Sequence, residues 1–510
     1  MTKFFEENFN LPKLEEKVLN FWKTNNIFLK TLESRKNKQK FVFYEGPPTA
    51  NGKPGIHHVL ARSFKDIILR FKTMQGYFVP RRAGWDTHGL PVELEVEKKL
   101  GFKSKLDILN YGVADFNQKC KESVWEYKKE WEDLTERMGF WLDFKNAYIT
   151  YETNYIESLW WIIKEFYKKG LLYEGYRIVP WCVRCGTALS SHELGQPDAY
   201  KTVLDNSVYV RFKIKSEDKK FENTFLLSWT TTPWTLPGNI ALAINSNHKF
   251  VKIPDPDLKN SFLILEEQSF KRLVEQKVFP LNFKNLKPEL ILKAKDLIGL
   301  NYEPLFNIEF LKSDKSHKVY EADFVSQQEG TGIVHTAVMY GEDDYKLGQK
   351  IGLPQKHTVD ENGKFIEDMA DIGGLEIISE KQKNQETEKK IFDYLEKKGN
   401  LLKVIPYEHE YPHCWRCKTP VIYYARNSWF VAVNKVRQKL IQNNQKINWI
   451  PSHIKNGRFG QWLKEKKDWN FSRERFWGTP LPVWKCKNCK NEEVIGSIKE
   501  LTSYFRKKQK

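Results

Sequence analysis

Cysteine spacing is the most specific chemical signal in this chain. Six of the seven cysteines form three Cys-x-x-Cys pairs, Cys182/Cys185, Cys414/Cys417 and Cys486/Cys489. Thiolates two residues apart on a tight turn can both reach one tetrahedral ion, so without a secretion signal the pattern predicts zinc rather than disulfides. Cys182, Cys185, Cys414 and Cys417 are the expected ligands of one site, which leaves Cys486 and Cys489 in need of partners. Cys120 stands alone in a helical context and is expected to be simply buried. A second group is His57-His58, next to a loop rich in Gly and Pro at residues 45–54. A third combines Thr230-Thr231-Thr232 and Asn239 with His335 and Asp343-Asp344 downstream. By residue type alone, threonines in a β segment are ordinary strand formers and paired aspartates a solvated loop. That group therefore needs more than its composition to count as a site.

The elements that must hold these residues can be read from periodicity. The apolar run Phe41-Val42-Phe43-Tyr44 predicts a buried strand, residues 45–54 a loop, and a helix should begin near Gly55. Leu60, Phe64, Ile67, Ile68 and Phe71 recur at spacings of three and four, so that helix has one apolar face. The order strand, loop, helix is that of a nucleotide-binding α/β unit. Free amide donors and the positive end of the macrodipole at the helix N-terminus favour a phosphate, with His57 and His58 beside it. No GxxxxGK[ST] and no GxGxxG occurs, so any ATP must be held by other means.

Residues 1–40 read as a helical lead-in, with Leu14, Val18, Phe21 and Trp22 on one face. Residues 105–170 are amphipathic, and Trp125, Tyr127, Trp131, Leu134 and Met138 read as helix packing. Between about 200 and 395 the pattern changes. Residues 208–214 alternate with period two, and residues 225–229 and 262–265 are short apolar runs, which predicts a β-rich domain, plausible as a barrel. Two knuckles more than 200 residues apart imply that the chain leaves one domain, builds an insertion and returns near its exit. The expected organisation is a lead-in at 1–40, the first part of a Rossmann-like α/β domain at 41–198, an inserted β-rich domain at 199–395, and the return knuckle with the second part at 396–510.

At 510 residues the chain is too long for one core. Its 83 basic against 65 acidic residues, net +18, would suit a phosphate-rich partner. Residues 451–510 hold 15 Lys and Arg against 6 Asp and Glu, so about half the excess lies there. Basic charge alone remains weak evidence for nucleic acid. No run approaches 18 apolar residues, and Met1-Thr2-Lys3-Phe4-Phe5-Glu6-Glu7 lacks a basic-then-apolar signal, which places the expected protein in the cytoplasm and off the membrane.

Two longer stretches carry a family likeness over essentially the whole chain. Gly46-Pro47-Pro48-Thr49-Ala50-Asn51-Gly52 through His57-His58, and Gly84-Trp85-Asp86-Thr87-His88-Gly89-Leu90-Pro91-Val92-Glu93, closely resemble the isoleucyl-tRNA synthetases of class I. Valyl and leucyl enzymes differ at the second stretch. The family signature is usually His-x-Gly-His, and here Gly55-Ile56-His57-His58 stands in its place, as in a subset of isoleucyl enzymes. The resemblance implies a monomer that uses ATP with Mg2+ to convert isoleucine to its adenylate and transfers it to tRNA(Ile). His57 and His58 would serve the phosphates, Asp86 the substrate ammonium, and Pro47, Trp429 and Trp469 the isoleucine side chain.

The same resemblance makes the β-rich insertion an editing domain that hydrolyses mischarged valyl-tRNA(Ile). Thr230, Thr231, Thr232, Asn239 and His335 would shape its pocket, and Asp344 would hold the amino acid's ammonium. The family's later Lys-Met-Ser-Lys-Ser loop and its anticodon-binding bundle have no counterpart in the sequence, so an N-terminal portion of such an enzyme is expected. The competing expectations are a non-synthesising tRNA-binding or editing-only factor, and a valyl or leucyl relative.

Overall fold

The helix expected near Gly55 runs Ile56–Met74 in the computed structural model, which describes residues 10–102, 104–378, 385–465 and 467–507. The stretch Met1 to Glu7 lies outside them. Gly55 caps the helix with extended backbone, and its N–H donates to His58 Nδ1 at 2.8 Å. The apolar periodicity is where the sequence puts it, yet Leu60, Phe64, Ile67, Ile68 and Phe71 all face solvent. The helix instead buries Arg62, Leu69 and Thr73. Positions 58, 62, 65, 69 and 73 are spaced four and three apart, so the inward stripe is mostly polar.

The chain forms two compact units, residues 1–171 with 475–510, and residues 172–474. These boundaries fall outside both knuckles, whereas the sequence reading places the insertion at 199–395. In the first unit the strand Arg82–Trp85 pairs in parallel with Asp143–Ile149, Gly84 opposite Tyr148. A Cβ on Gly84 would come within 2.2 Å of the Tyr148 ring, so the pairing needs glycine there.

The buried strand expected at Phe41 to Tyr44 is not formed. Lys40 bridges Phe78 in parallel and Phe41 N–H donates to the Phe78 carbonyl at 2.9 Å, but among the described residues the pairing goes no further. Phe41 and Phe43 pack with Leu69, Val79, Ala83, Phe140 and Leu142, while Val42 and Tyr44 point outward. The run is therefore an extended edge with one face covered.

The lead-in forms helices Leu11–Thr24 and Ile27–Glu33, neither of which buries a residue fully. It is attached through Trp22, whose ring meets Trp141 edge-on at 5.0 Å, with the Arg70 guanidinium over both rings. Helices Leu90–Leu100 and Val113–Ser123 enclose Val92, Val96, Phe116 and Cys120, so Cys120 is the buried residue expected.

The second unit is built on β structure. Its large sheet runs in the order Leu290–Lys293, Lys249–Pro254, Phe262–Glu266, Thr224–Thr230, Tyr200–Lys215, Asn301–Tyr302, Lys318–Glu321, Ala241–Ile244 and Val334–Thr336. Ser228 Oγ donates to the Ile333 carbonyl at 2.8 Å, and Glu266 N–H to that of Thr331 at 2.9 Å, so the far end curls back on the middle. The strand Leu401–Pro412 pairs antiparallel with Tyr200–Lys215 from Tyr200↔Pro412 to Val210↔Leu401. A smaller sheet pairs Leu172–Cys182 with Ile422–Val431, so the segments leading to both knuckles run in neighbouring strands.

Candidate active site and metal centre

In the first unit, loop 45–53 and the inward stripe of helix Ile56–Met74 enclose a cleft of about 470 Å3 whose lining includes Pro47, His58, Arg62, Lys65 and Trp131. Because His58 Nδ1 accepts from Gly55, its ring proton sits on Nε2. Burial, then the neighbouring His57 and Arg62, push the His58 pKa down, which keeps the ring a neutral donor. The exposed His57 ring lies 3.8 Å from that of His58.

Two cleft cations, Arg62 and Lys65, were not singled out from sequence. Arg62 donates to Thr135 Oγ1 at 2.6 Å and lies over the Trp131 ring, whose Nε1 donates to the Gly52 carbonyl at 2.9 Å. Lys65 pairs with the buried Glu45. Arg62 and Lys65 follow His58 by four and seven residues, a helical spacing that could have found them.

Asp86 is half-buried, and its backbone N–H donates to the Pro48 carbonyl at 3.0 Å. Burial raises its carboxyl, against hydrogen bonds from the His88 backbone and the Thr49 side chain. Beyond it, the buried Glu93 accepts from Arg475 Nη1 at 3.0 Å, Phe476 N–H at 2.7 Å and Trp477 N–H at 2.6 Å. Trp477 Nε1 returns a bond to the Thr87 carbonyl at 2.5 Å. Glu93 thus fastens the stretch 84–93, a role with no signal in the local residue pattern.

In the second unit, Trp429 and Trp469 share one face of a sheet, because Val431 pairs with Trp469 and Phe471 N–H donates to the Trp429 carbonyl at 3.2 Å. Trp469 is 54 % exposed, so its ring is open to a ligand. Asp468 beside it accepts from Tyr173 Oη at 2.7 Å and from Asn434 N–H at 3.1 Å, fixing that turn.

The hydroxyl and histidine group comes together as a chain of hydrogen bonds. Thr232 N–H donates to Thr230 Oγ1 at 3.1 Å, and Thr235 Oγ1 donates to the Thr232 carbonyl at 2.8 Å. Thr235 Oγ1 also lies 3.0 Å from His335 Nε2. With its proton already given to Thr232, the Thr235 hydroxyl accepts from Nε2–H, which leaves His335 Nδ1 as a bare acceptor. That atom is buried without a partner among the described residues, and burial pushes the ring down to about 4.

Asp344 Oδ2 accepts from Ala337 N–H at 3.0 Å and so holds the end of the strand that carries His335. Burial pushes its carboxyl up to about 7, against the Ala337 bond, whereas Asp343 is exposed. Asn239 is engaged differently: its amide donates to the Ala241 carbonyl at 3.0 Å and accepts from Tyr302 Oη at 2.7 Å. Thr231 is half-buried. Sequence reasoning passed over Thr235, although it repeats the Thr232 hydroxyl one helical turn on.

The four sulfurs of Cys182, Cys185, Cys414 and Cys417 lie within 4.8 Å of one another, with Cys182 and Cys417 3.4 Å apart. Ligands at about 2.3 Å from a tetrahedral ion stand roughly 3.8 Å from each other, so this donor set fits zinc. Without an ion the four share their protons unequally: hydrogen bonds within the group push the Cys414 and Cys417 thiols down and the Cys182 thiol up, and Cys185 is raised as well. Cys486 and Cys489 sit exposed at the hairpin Val483–Lys485/Glu492–Val494. Among the described residues they join no group able to hold an ion.

A family model described as tRNA synthetases class I (I, L, M and V) matches residues 17–510. The chain belongs to the class I tRNA synthetases. It is 46 % identical over 496 residues to an isoleucine--tRNA ligase of Clostridium novyi, covering 97 % of this chain and 45 % of that protein. It is 49 % identical over 499 residues to the isoleucine--tRNA ligase of Thermus thermophilus, covering 96 % of this chain and 45 % of that protein. The chain therefore spans about half the length of these curated relatives. A solved LeuRS–tRNA–LeuAMS complex from Agrobacterium radiobacter K84 covers 94 % of this chain and 52 % of its own at 16 % identity, with a TM-score of only 0.35. The class I synthetase assignment agrees with the mixed α/β content of the two units. No helix among the described residues is long and apolar enough to cross a membrane.

Proposed function

We propose that this chain is the activating and editing portion of an isoleucyl-tRNA synthetase, acting in the cytoplasm without self-association. The observation that carries the proposal is the 46–49 % identity to isoleucine--tRNA ligases across nearly the whole chain. In the first step the isoleucine carboxylate attacks the α-phosphorus of ATP, bound with its Mg2+, and pyrophosphate leaves. In the second, a terminal ribose hydroxyl of tRNA(Ile) attacks the acyl carbonyl and AMP leaves. His57 and the neutral His58 donate to phosphate oxygens, and Arg62 and Lys65 set positive charge along the same helix face. Within the first unit, Asp86 takes the substrate ammonium and Pro47 contacts its side chain.

Residues 199–395 are the editing insertion in this reading. One methylene is worth about 1–3 kcal/mol in an apolar pocket, a limit for which isoleucyl enzymes are themselves the standard illustration. Valine must then be removed after transfer, by water adding to the ester carbonyl and the ribose hydroxyl leaving. Thr230, Thr231 and Thr232 wall the pocket, His335 Nδ1 accepts from a ribose hydroxyl or the water, and Asp344 holds the ammonium. Asn239 shapes the floor through Tyr302. Zinc held by Cys182, Cys185, Cys414 and Cys417 would be structural, pinning the two knuckles together.

Calorimetry with non-hydrolysable aminoacyl adenylate analogues tests the reading. The isoleucyl analogue should bind more tightly than the valyl and leucyl ones. Hydrolysis of valyl-tRNA(Ile) without any adenylate binding would mean an editing-only factor, and preference for another side chain would reassign the substrate.

A further inference from the structure

The short span that carries Pro47 is held at both ends. At its far end the Pro48 carbonyl accepts from Asp86 N–H at 3.0 Å, and the Thr49 side chain bonds the Asp86 carboxyl. At its near end Tyr148 Oη donates to the Glu45 carbonyl at 2.7 Å, across 103 residues of sequence. The Glu45 carboxylate is separately paired with Lys65, but a side chain with free torsions does not fix the direction of its own carbonyl. Pro47 and Pro48 have their φ set by the ring, so the span bends at Gly46, where an added Cβ would meet nothing within 4 Å. Without the Tyr148 bond, Gly46 lets Pro47 swing relative to Asp86.

The Tyr148 ring belongs to the same framework as Asp86. It lies against Gly84, in the strand that leads into Asp86, and stacks parallel to Tyr155 at 6.0 Å. Burial, then Tyr155 and the carboxylates of Glu45 and Asp86, raise the phenol's pKa, so its hydroxyl stays a donor. The ring is thus seated on the strand that delivers the carboxylate, while the hydroxyl holds the loop that bears the proline. We propose that Tyr148 is a positioning residue that sets the distance between Pro47 and Asp86, and with it the length of aliphatic side chain that the first unit grips best. The inference rests on the reading of Asp86 and Pro47 as the ammonium and side-chain contacts. Isoleucine and valine differ by one methylene, and a proline displaced by a bond length loses the contact that tells them apart.

Calorimetry with the isoleucyl and valyl adenylate analogues tests this in Tyr148→Phe, which keeps the ring against Gly84 and removes only the hydroxyl. The isoleucyl analogue should bind about three- to tenfold more weakly while the valyl one stays within about twofold, so that the preference narrows. Adding Gly46→Ala to Tyr148→Phe should restore about half or more of the lost preference, because alanine stiffens the link. With the ligand's amino group removed, the side chain can slide to follow Pro47, and the narrowing should shrink to within about twofold. Equal weakening of both analogues, or an unchanged preference, would overturn the inference and leave the reading in place. A wild-type chain that does not prefer the isoleucyl analogue would overturn the reading and the inference together. If Tyr148→Phe fails to fold by circular dichroism, one glycine inserted after Gly46 loosens the same span with Tyr148 intact. That variant should narrow the preference likewise, and a preference left unchanged by it would overturn the inference.

Discussion

Trp477 N–H donates to the Glu93 carboxylate at 2.6 Å, joining two ends of the first unit that are 384 residues apart in sequence. Phe476 and Arg475 add bonds to the same buried group, so Glu93 is the point where residues 475–477 are fastened to the stretch holding Asp86. Glu93→Ala leaves the nearly buried Arg475 without this partner, and breaking such a pair costs about 3–5 kcal/mol. Urea denaturation should show the first unit unfolding at clearly lower denaturant, with the second unit unmoved. An unchanged midpoint would refute the role given to Glu93.

Asp86→Ala should remove the partner of the substrate ammonium. Binding of the isoleucyl adenylate analogue is expected to weaken about 10- to 100-fold, the range of a charged hydrogen bond worth about 1.5–3 kcal/mol. An analogue lacking the amino group should bind wild type and variant alike, and a large difference there would point to a misshapen cleft instead.

Asp344 should make editing pH-dependent. Burial raises its carboxyl to about 7, so it is protonated below that pH and cannot hold an ammonium. Hydrolysis of valyl-tRNA(Ile), divided by the uncatalysed rate, should rise as pH goes up through about 7. Asp344→Asn should be about 10- to 100-fold slower and flat in pH, while Asp343→Ala keeps the wild-type profile. Equal loss in both variants would mean a general effect of charge at the start of that helix.

Thr235→Val removes the acceptor that fixes the His335 tautomer. Deacylation should slow by about tenfold or more, with adenylate binding unaffected. Thr235→Ser, which keeps the hydroxyl, should restore it. Failure of serine to rescue would reduce Thr235 to a packing residue.

Elemental analysis should find one zinc per chain. Cys414→Ser should lose it and Cys486→Ser should retain it, since among the described residues only the four-sulfur group is assembled. Retention by Cys414→Ser would place the ion elsewhere.

The Cys182 and Cys414 knuckles were legible because ligand spacing is a local property, and the structure brings their four sulfurs within 4.8 Å of one another. The helix at Ile56 and the β-rich character of residues 200–395 were legible for the same reason, since periodicity is local. What could not be read was which side of a helix faces inward. Leu60, Phe64 and Ile67 form the better apolar stripe, yet Arg62 and Leu69 are buried, because a cleft wants charge and donors on its wall. The Phe41 to Tyr44 run has strand composition but no second neighbour among the described residues, and a strand is defined by pairing rather than by its own residues. Glu93 and Thr235 act through residues 382 and 100 positions away, separations that no local pattern encodes.

The ribbon of Tyr200–Lys215 and Leu401–Pro412 sets a timetable for synthesis. Tyr200 is paired with Pro412, so a ribosome must add 212 further residues before that end of the strand meets its partner. At about 5–20 residues per second the wait is roughly 10 to 40 seconds, with an open β edge outside the exit tunnel. Over that time Thr224–Thr230 is the early partner, but it reaches only from Val208 to Lys213. The first half of the strand, from Tyr200 to Ser207, thus has no strand partner among the described residues until Leu401–Pro412 has been made.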